Sequence, residues 1–589
     1  MALVLGICSS HDASACVFRD GELVAAISEE RISRIKSDGG HLPNLAIDAC
    51  LAMAGAKRTD VDHIATNYCH VPEVYCRRPE LAKEIERRLS RAWKELQGKR
   101  SNTQYFLNEV LKHIRDKEPT AKFSDFWREA KFLRDEGYRA DCQVHFVDHH
   151  MTHATAAAFY AGFDEAAVIS MDGEGDLGMH HTSGVFKDGK ITISHVSETP
   201  GCSPGFFYMD VTEHLGFRPL RHEGKVLGLA AYGDPQPLAD AFRRAMRLSA
   251  DGHGLDSDFA DMDRAVDHRK IYIGEAMRGH TRENVAAAAQ TVFEETIVAL
   301  VRNFLVESGQ RKLAVNGGVF ANVKLNQRIA ALPECESLFV FPGMSDTGNS
   351  VGAALMVLDR LQPGYLRERR HVLETVYWGP EPTPGEIRSE LDARGLAYEE
   401  LGVEAVTEKT AQAIHSGQVI GWFQGAMEFG PRALGNRSMV AAPTDKSIND
   451  WFNARLERSE FMPFAPSALA EYADEVFENV EPGRHAAEFM TITFDVKKAW
   501  QPRIPAVVHV DGTARPQLVR RDRNPRYWAL IERYRQLSGI PLILNTSFNV
   551  HEEPIVCGPQ EAVQAVVDQR VDHLAIGPFW VDGAQFKKG

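Results

Sequence analysis

Apolar and polar positions sort the first thirty residues into three short strands. Leu3-Val4-Leu5-Gly6-Ile7 is an apolar run, Ser9 to Ser14 a small polar turn, and Ala15-Cys16-Val17-Phe18 a second run. Arg19-Asp20-Gly21-Glu22 separates it from a third, Leu23 to Ile27. An Asp-Gly pair between apolar runs is a strong hairpin signal. The same order returns after residue 165. Ala166 to Met171 is apolar, Asp172-Gly173-Glu174-Gly175-Asp176 is an acidic, Gly-rich turn, and His181 to Phe186 and Ile191 to Val196 flank a turn at Lys187-Asp188-Gly189-Lys190. The repetition predicts a duplicated α/β domain whose halves face each other across a cleft. Gly-rich turns on that cleft present backbone N–H groups, which suit phosphate.

Two more strand-to-helix turns follow. Leu313 to Asn322 reads as strand, Gly317-Gly318 turn and helix; Leu338 to Phe341 reads as a strand, with a loop over Pro342 to Ser350 and a helix from Val351. Glycine lets the backbone approach a ligand closely. Neither turn is a Walker A loop or a GxGxxG fingerprint, which argues against P-loop and Rossmann chemistry. Asp346 in the second loop is either a metal ligand or a helix N-cap. Between the repeats, at about residues 73 to 139, an Arg-, Lys- and Glu-rich stretch with apolar spacing of three and four predicts an inserted set of amphipathic helices. It serves either as a solvated face or as a substrate-side or dimer-facing cap.

The sharpest chemical signal is Val147-Asp148-His149-His150-Met151-Thr152-His153-Ala154. On a helix His149 and His153 share one face and can grip a divalent metal from one side. A zinc protease places Glu directly after the first His; His150 stands there instead, so a peptidase reading loses its general base. The alternative is a helix that merely carries packed histidines.

Composition adds limits. The chain has 589 residues, 44% hydrophobic and 25% charged, with a formal net charge of −14. That predicts several domains and argues against a general nucleic-acid binder. No apolar run reaches the length of a membrane span, and the N-terminal apolar run lacks a basic flank. The nine cysteines are scattered without a CxxC pair, which suits a reducing cytoplasm.

Taken together, His11-Asp12-Ala13-Ser14, Glu29-Glu30-Arg31 with Lys36, the His149 to Ala154 string, Met171 to Asp176, Glu223 to Gly233, Asn316-Gly317-Gly318 and the Asp346 loop resemble the ATP-dependent O-carbamoyltransferases of the nodulation-factor and cephamycin type. The resemblance spans nearly the whole chain. It implies an actin/Hsp70-like (ASKHA) ATPase-type domain over residues 1–365, similar to the tRNA threonylcarbamoyl transferase. It implies a divalent metal, iron(II), on His149, His153, Asp172 and Asp346. The glycine turns imply nucleotide contacts at Gly173, Gly175, Asn316, Gly317, Gly318 and Asn322, with Lys225 beside them. His11 is the implied general base, Asp12 its polar partner, and Lys36 a phosphate or acceptor contact.

Residues 366–589 carry the most specific strings. They are Gly421 to Ser438, Phe464-Ala465-Pro466-Ser467, Asp511 to Gln517, and Leu544-Asn545-Thr546-Ser547-Phe548-Asn549. They resemble an α+β YrdC-like domain that forms carbamoyl-adenylate. Arg432, Arg437 and Arg515 are candidate bidentate grips on phosphate or carbamate, and Lys446 a point charge. Asn545, Ser547 and Asn549 can hold a planar carbamoyl group. Arg458 is a further candidate, in a segment where Met462 replaces an Arg that many relatives have. The implied enzyme uses ATP with Mg²⁺ and carbamoyl phosphate, and transfers the carbamoyl group to a hydroxyl of a small natural product. It needs no nucleic acid or membrane and is compatible with a homodimer. The alternatives weighed against it are a tRNA threonylcarbamoyl-modifying enzyme and a non-enzymatic Hsp70-like regulator.

Overall fold

The N-terminal apolar runs form β1 (Leu3–Cys8), β2 (Ser14–Arg19) and β3 (Glu22–Ser28), an antiparallel meander. Its second turn has Asp20 and Gly21 at φ 56° and 84°, the left-handed pair that a two-residue hairpin requires. β4 (His63–Asn67) and β5 (Gln143–Val147) add in parallel, giving the order β3-β2-β1-β4-β5. β6 (Glu165–Met171), β7 (His181–Lys187) and β8 (Lys190–Ser197) repeat the meander, with Asp188 and Gly189 at φ 52° and 77°. After a small hairpin of β9 (Arg247–Leu248) and β10 (Leu255–Asp256), β11 (Lys312–Asn316) and β12 (Ser337–Val340) join in parallel. The second order, β8-β7-β6-β11-β12, copies the first. Both meanders even carry a register shift, at Val17/Phe18 and Ser183/Gly184. The duplicated α/β fold of the actin/Hsp70 type is therefore what this chain adopts. This computed structural model describes residues 2–68, 73–75, 127–260, 262, 264–456 and 464–586.

Helix His149–Tyr160 follows β5, and helix Asn349–Leu361 follows β12, in equivalent places. They pack backbone to backbone. A Cβ on Gly352 would lie 2.0 Å from the Thr152 carbonyl oxygen, and one on Gly6 would lie 2.1 Å from that of Ser350. Only glycine permits either approach. Ala154, Ala156 and Ala157 share one buried cluster with Val351, Ala353 and Ala354, so small side chains let the helices draw together.

The rest of the chain builds an eight-stranded mixed sheet, ordered β13-β22-β21-β14-β15-β20-β16-β19. Its strands are β13 (Glu399–Glu400), β14 (Ile420–Phe423), β15 (Arg437–Ala441), β16 (Ala465–Leu469), β19 (Gln517–Val519), β20 (Leu542–Ser547), β21 (His573–Ile576) and β22 (Phe579–Asp582). A side pair joins β17 (Phe494–Asp495) to β18 (Thr513–Ala514). Before this sheet begins, residues 371–378 run back along the first half. His371 and Leu373 donate N–H bonds to Phe159 and Tyr160 carbonyls, and Ala26 donates to the Trp378 carbonyl.

Of the insertion expected at about 73 to 139, the described part is a turn at Glu73–Tyr75 and helix Glu129–Asp135, locked by contacts among Tyr75, Trp127 and Phe132. Its other predicted helices, and Arg458, lie outside the described residues. Among the described residues, no helix is long and apolar enough to cross a membrane.

Candidate functional site

The two helix starts, the β6–β7 turn and the loop after β12 meet at one point. Asp148 caps its helix by accepting from Met151 N at 2.8 Å, and that turn aims His149 and His153 inward. His153 Nε2 lies 3.2 Å from Asp172 Oδ2 and 3.4 Å from Asp346 Oδ1. His149 Nε2 lies 3.7 and 3.5 Å from the same two atoms. The ligand atoms of all four residues fall within 4.8 Å of one another. A tetrahedral ion with ligands at ~2.1 Å has ligand-to-ligand edges of ~3.4 Å, so the separations suit one divalent ion. Mixed imidazole and carboxylate donors suit iron, zinc or manganese. The electrostatics agree. Burial opposes a charge on His149, yet Asp346 and Asp172 outweigh it and raise its pKa to about 9. Burial likewise opposes charge on Asp172 and Asp346, but the imidazoles hold both well below the usual carboxylate range. The N-cap position of the helix that follows is Gly348, not Asp346.

A second layer holds these groups. Asp176 Oδ2 accepts from His149 N at 2.8 Å, and Asn316 Nδ2 donates to the His153 carbonyl at 3.0 Å. Asn349 Nδ2 stands 3.2 Å from His153 Nε2 and 3.3 Å from Asp346 Oδ1. His150, in the place of a protease Glu, faces Ser170 Oγ at 2.8 Å and the Met179 carbonyl at 3.0 Å. Burial, aided by His149 and His153, drives its pKa far down; it is a packing residue. The glycines are where the ligands need room. A Cβ on Gly175 would lie 2.7 Å from His149 Cδ2, and one on Gly318 would lie 3.0 Å from Asp172 Oδ1. Gly317, at φ 106°, packs on the Met171 carbonyl. Gly173 N donates to Asp172 Oδ1 at 2.7 Å.

His11 and Asp12 occupy the β1–β2 turn, the counterpart of the turn carrying Asp172. His11 Nδ1 is 3.5 Å from Asp346 Oδ2 and its Nε2 3.6 Å from Asp12 Oδ2. Burial opposes its charge, but Asp12, Asp346 and Asp172 raise its pKa. Its side chain is 35% exposed where His149 and His153 are 0% exposed, so it is the imidazole here that a ligand can reach. Lys36 Nζ pairs with Glu30 Oε1 at 3.3 Å. Its segment is tied to the His11 turn by Gly40 N donating to the Ser10 carbonyl at 2.7 Å. Lys225 is buried on helix Glu223–Ala230, one wall of a cavity of about 180 Å³. Gln290, Glu294, Lys324, His509 and Asp511 line the others. Asn322, expected on a nucleotide, caps helix Val323–Ala330 and exchanges hydrogen bonds with Gln290.

In the second half, one loop carries most of the predicted chemistry. Glu428 Oε1 accepts from Leu434 N, Asn436 N and Arg437 N at 2.7, 2.9 and 3.0 Å, folding residues 428–437 around its carboxylate. Arg437 corrects the sequence reading. It is fully buried, and its guanidinium donates to the carbonyls of Gln424, Gly425, Asn436, Pro380 and Cys557. A desolvated guanidinium must satisfy its donors locally, and this one, fully buried among backbone carbonyls, is not open to phosphate. Arg432 and Arg515 are half-buried. Their loops are tied together, since Asn545 Nδ2 donates to the Ala433 carbonyl and Gln517 Nε2 to that of Leu434. Asn545 also bonds Ser467 Oγ at 2.9 Å, so it positions the arginine loop. Ser547 bonds Asn549 Oδ1, and Asn549 Nδ2 bonds the Val550 and Glu553 carbonyls. Lys446 is exposed at the start of helix Ser447–Arg455.

The arginine loop sits on the first half. Arg31 Nη2 donates to the Gly430 carbonyl at 2.8 Å, and a Cβ on Gly430 would lie 3.0 Å from the Pro342 carbonyl oxygen, in the loop that bears Asp346. Arg34 grips the Ile555 and Pro554 carbonyls, each at 2.7 Å.

The family model described as Carbamoyltransferase N-terminus matches residues 3–355, and Carbamoyltransferase C-terminus matches residues 411–583. The chain belongs to the carbamoyltransferase family. Nodulation protein NolNO of Sinorhizobium fredii is 33% identical across 97% of this chain and 79% of its own length. Nodulation protein NolO of Bradyrhizobium diazoefficiens is 35% identical across 74% of this chain and 78% of its own. An uncharacterized Synechocystis protein is 31% identical across 98% and 96%. Within this carbamoyltransferase, sequence reasoning missed Asn349, Glu428, Gln517 and the structural use of Arg31 and Arg34. Asn349 had a legible signal, one helical turn beyond Asp346; the others act on backbone atoms, which leave no residue pattern.

Proposed function

We propose that the chain is an ATP-dependent O-carbamoyltransferase that forms carbamoyl-adenylate and passes its carbamoyl group to a hydroxyl of a small natural product. The observation that carries this reading is the seating of the Arg432 loop of the second half on the Asp346 loop of a four-ligand His/Asp cluster. Two chemistries that must share an unstable intermediate stand side by side.

The adenylation step belongs to the second half, on the resemblance of its strings to the YrdC-like domain. Water cleaves the acyl phosphate bond of carbamoyl phosphate to release phosphate and carbamate; the carbamate oxygen then attacks the ATP α-phosphorus, and the bond to the β-phosphate oxygen breaks to release pyrophosphate. Arg432 and Arg515 neutralise the charge on the transferring groups, and Lys446 meets phosphate from the exposed rim. In the first half the acceptor hydroxyl attacks the carbamoyl carbon, the bond to AMP breaks, and His11 takes the hydroxyl proton with Asp12 beside it. Lys36 faces the leaving phosphate, and the Gly173, Gly317 and Gly318 turns bring backbone close to it. A divalent ion on His149, His153, Asp172 and Asp346, iron(II) by family resemblance, supplies Lewis-acid polarisation there. Close packing of the halves limits hydrolysis of the adenylate.

The test is pyrophosphate release from ATP, with Mg²⁺ and no acceptor, with and without carbamoyl phosphate. Release that requires carbamoyl phosphate and falls in Arg432→Ala and Arg515→Ala supports the reading. Carbamoyl-phosphate-independent release, or none from folded protein, overturns it.

A further inference from the structure

Apart from the His/Asp cluster, three elements bring a second set of metal-ligating side chains together. His195 lies on β8, the edge strand of the second sheet; His253 lies in the loop between β9 and β10; Glu307 lies in the last turn of helix Arg282–Ser308. His195 Nε2 is 2.7 Å and His253 Nδ1 3.2 Å from the same oxygen, Glu307 Oε2. The two imidazoles lie parallel, 4.4 Å between centroids, and all three ligand atoms fall within 4.8 Å of one another. His253 Nδ1 is buried although its side chain is 26% exposed, so the nitrogen faces the carboxylate while the ring edge meets solvent.

The loop is held in this pose. Asn303 Nδ2 donates to the Gly252 carbonyl at 3.0 Å, one helical turn before Glu307. Ser249 Oγ accepts from Gly254 N at 2.9 Å, and Asp251 Oδ1 accepts from His253 N at 3.0 Å. Phe304 packs edge-on against His195. A surface ion pair needs one His; a second ring brought to the same oxygen makes a three-point donor set.

We propose that His195, His253 and Glu307 form a second divalent-metal site. Its two nitrogens and one carboxylate select borderline transition ions such as Zn²⁺ over Mg²⁺ or Ca²⁺. Water completes the coordination, since every ligand is partly exposed. The ion clips the sheet edge and the β9–β10 loop to the end of the long helix. This site does not depend on the proposed carbamoyl transfer.

The experiment uses full-length protein stripped with chelator, reloaded with micromolar Zn²⁺, desalted and assayed for zinc per chain. His195→Gln/His253→Gln is expected to hold one ion fewer than wild type, and Glu307→Gln to weaken that ion's binding about tenfold or more, with pyrophosphate release unchanged in both. In the Asp172→Asn/Asp346→Asn background, Zn²⁺ should still raise the unfolding temperature, and His253→Gln should abolish that rise. Equal zinc content in wild type and the double-His variant, or a Zn²⁺-induced rise that survives His253→Gln, would leave only a surface ion pair and overturn the site.

Discussion

Replacing Glu428 tests whether a buried carboxylate in one half sets up the proposed adenylation chemistry. Its Oε1 accepts three backbone N–H groups across residues 434–437, and Glu428 is the leading stabiliser of the charge on Arg437, whose burial pulls its pKa down to about 10. An unsatisfied buried donor costs about 1–3 kcal/mol, and three lose their acceptor here, while the Arg437 cation loses a nearby opposite charge. These overlap, because Arg437 keeps its carbonyl partners and the loop can relax toward water. We therefore expect Glu428→Ala to cost about 4 kcal/mol. Glu428→Gln keeps an acceptor oxygen and loses only the charge, which puts it at about 1–2 kcal/mol. The assay pairs urea unfolding midpoints with carbamoyl-phosphate-dependent pyrophosphate release. The midpoint should fall in the order wild type, Gln, Ala. Release should fall with it, because the Arg432 loop loses its anchor. Metal content should not change, because all four ligands lie in the first half. An Ala variant with a wild-type midpoint and full release would refute the reasoning.

Other outcomes follow from the same geometry. Asp346→Asn removes one anionic ligand at nearly constant shape, and metal content measured at submicromolar free Fe²⁺ or Zn²⁺ should fall about tenfold or more. Gly175→Ala places a methyl 2.7 Å from His149 Cδ2 and 2.9 Å from His150 Cδ2; metal retention should drop while circular dichroism stays as in wild type. Burial raises Glu488 to about 7 from 4.5, against the pull of Arg520 and Arg523. The folded chain then keeps a proton that the unfolded chain has lost, so this group removes stability as pH rises from about 4.5 to 7. Glu488→Gln should raise the unfolding midpoint at pH 8, by the equivalent of about 2 kcal/mol, and have no such effect at pH 4.

The duplication was legible because each copy carries an Asp-Gly hairpin between its second and third strands, and that turn has few alternatives. The strand order was not, because the parallel pairs β1–β4 and β4–β5 join segments distant in sequence, the second across the insertion, and leave no local trace. His149 and His153 announced themselves through helical spacing. Asp172 and Asp346 entered through family resemblance, since a carboxylate in a Gly-rich turn reads equally as a cap. Sequence reasoning went astray with Arg437. Residue type says what a side chain can bind; only the fold says whether backbone has already claimed it.

The contacts of Arg31 and Arg34 with the Gly430, Pro554 and Ile555 carbonyls have an evolutionary corollary. A carbonyl is present whatever residue bears it. The arginine contacts themselves therefore place no demand on residue type on the second-half side, whereas Gly430, at φ 106° against Pro342, and Ile555, buried in the core cluster of the first sheet, are held by other constraints. Paired-substitution statistics across relatives would not register the arginine-to-carbonyl contacts, although the two halves are clamped there. An insertion or deletion that shifts the loop by one residue would be felt at once.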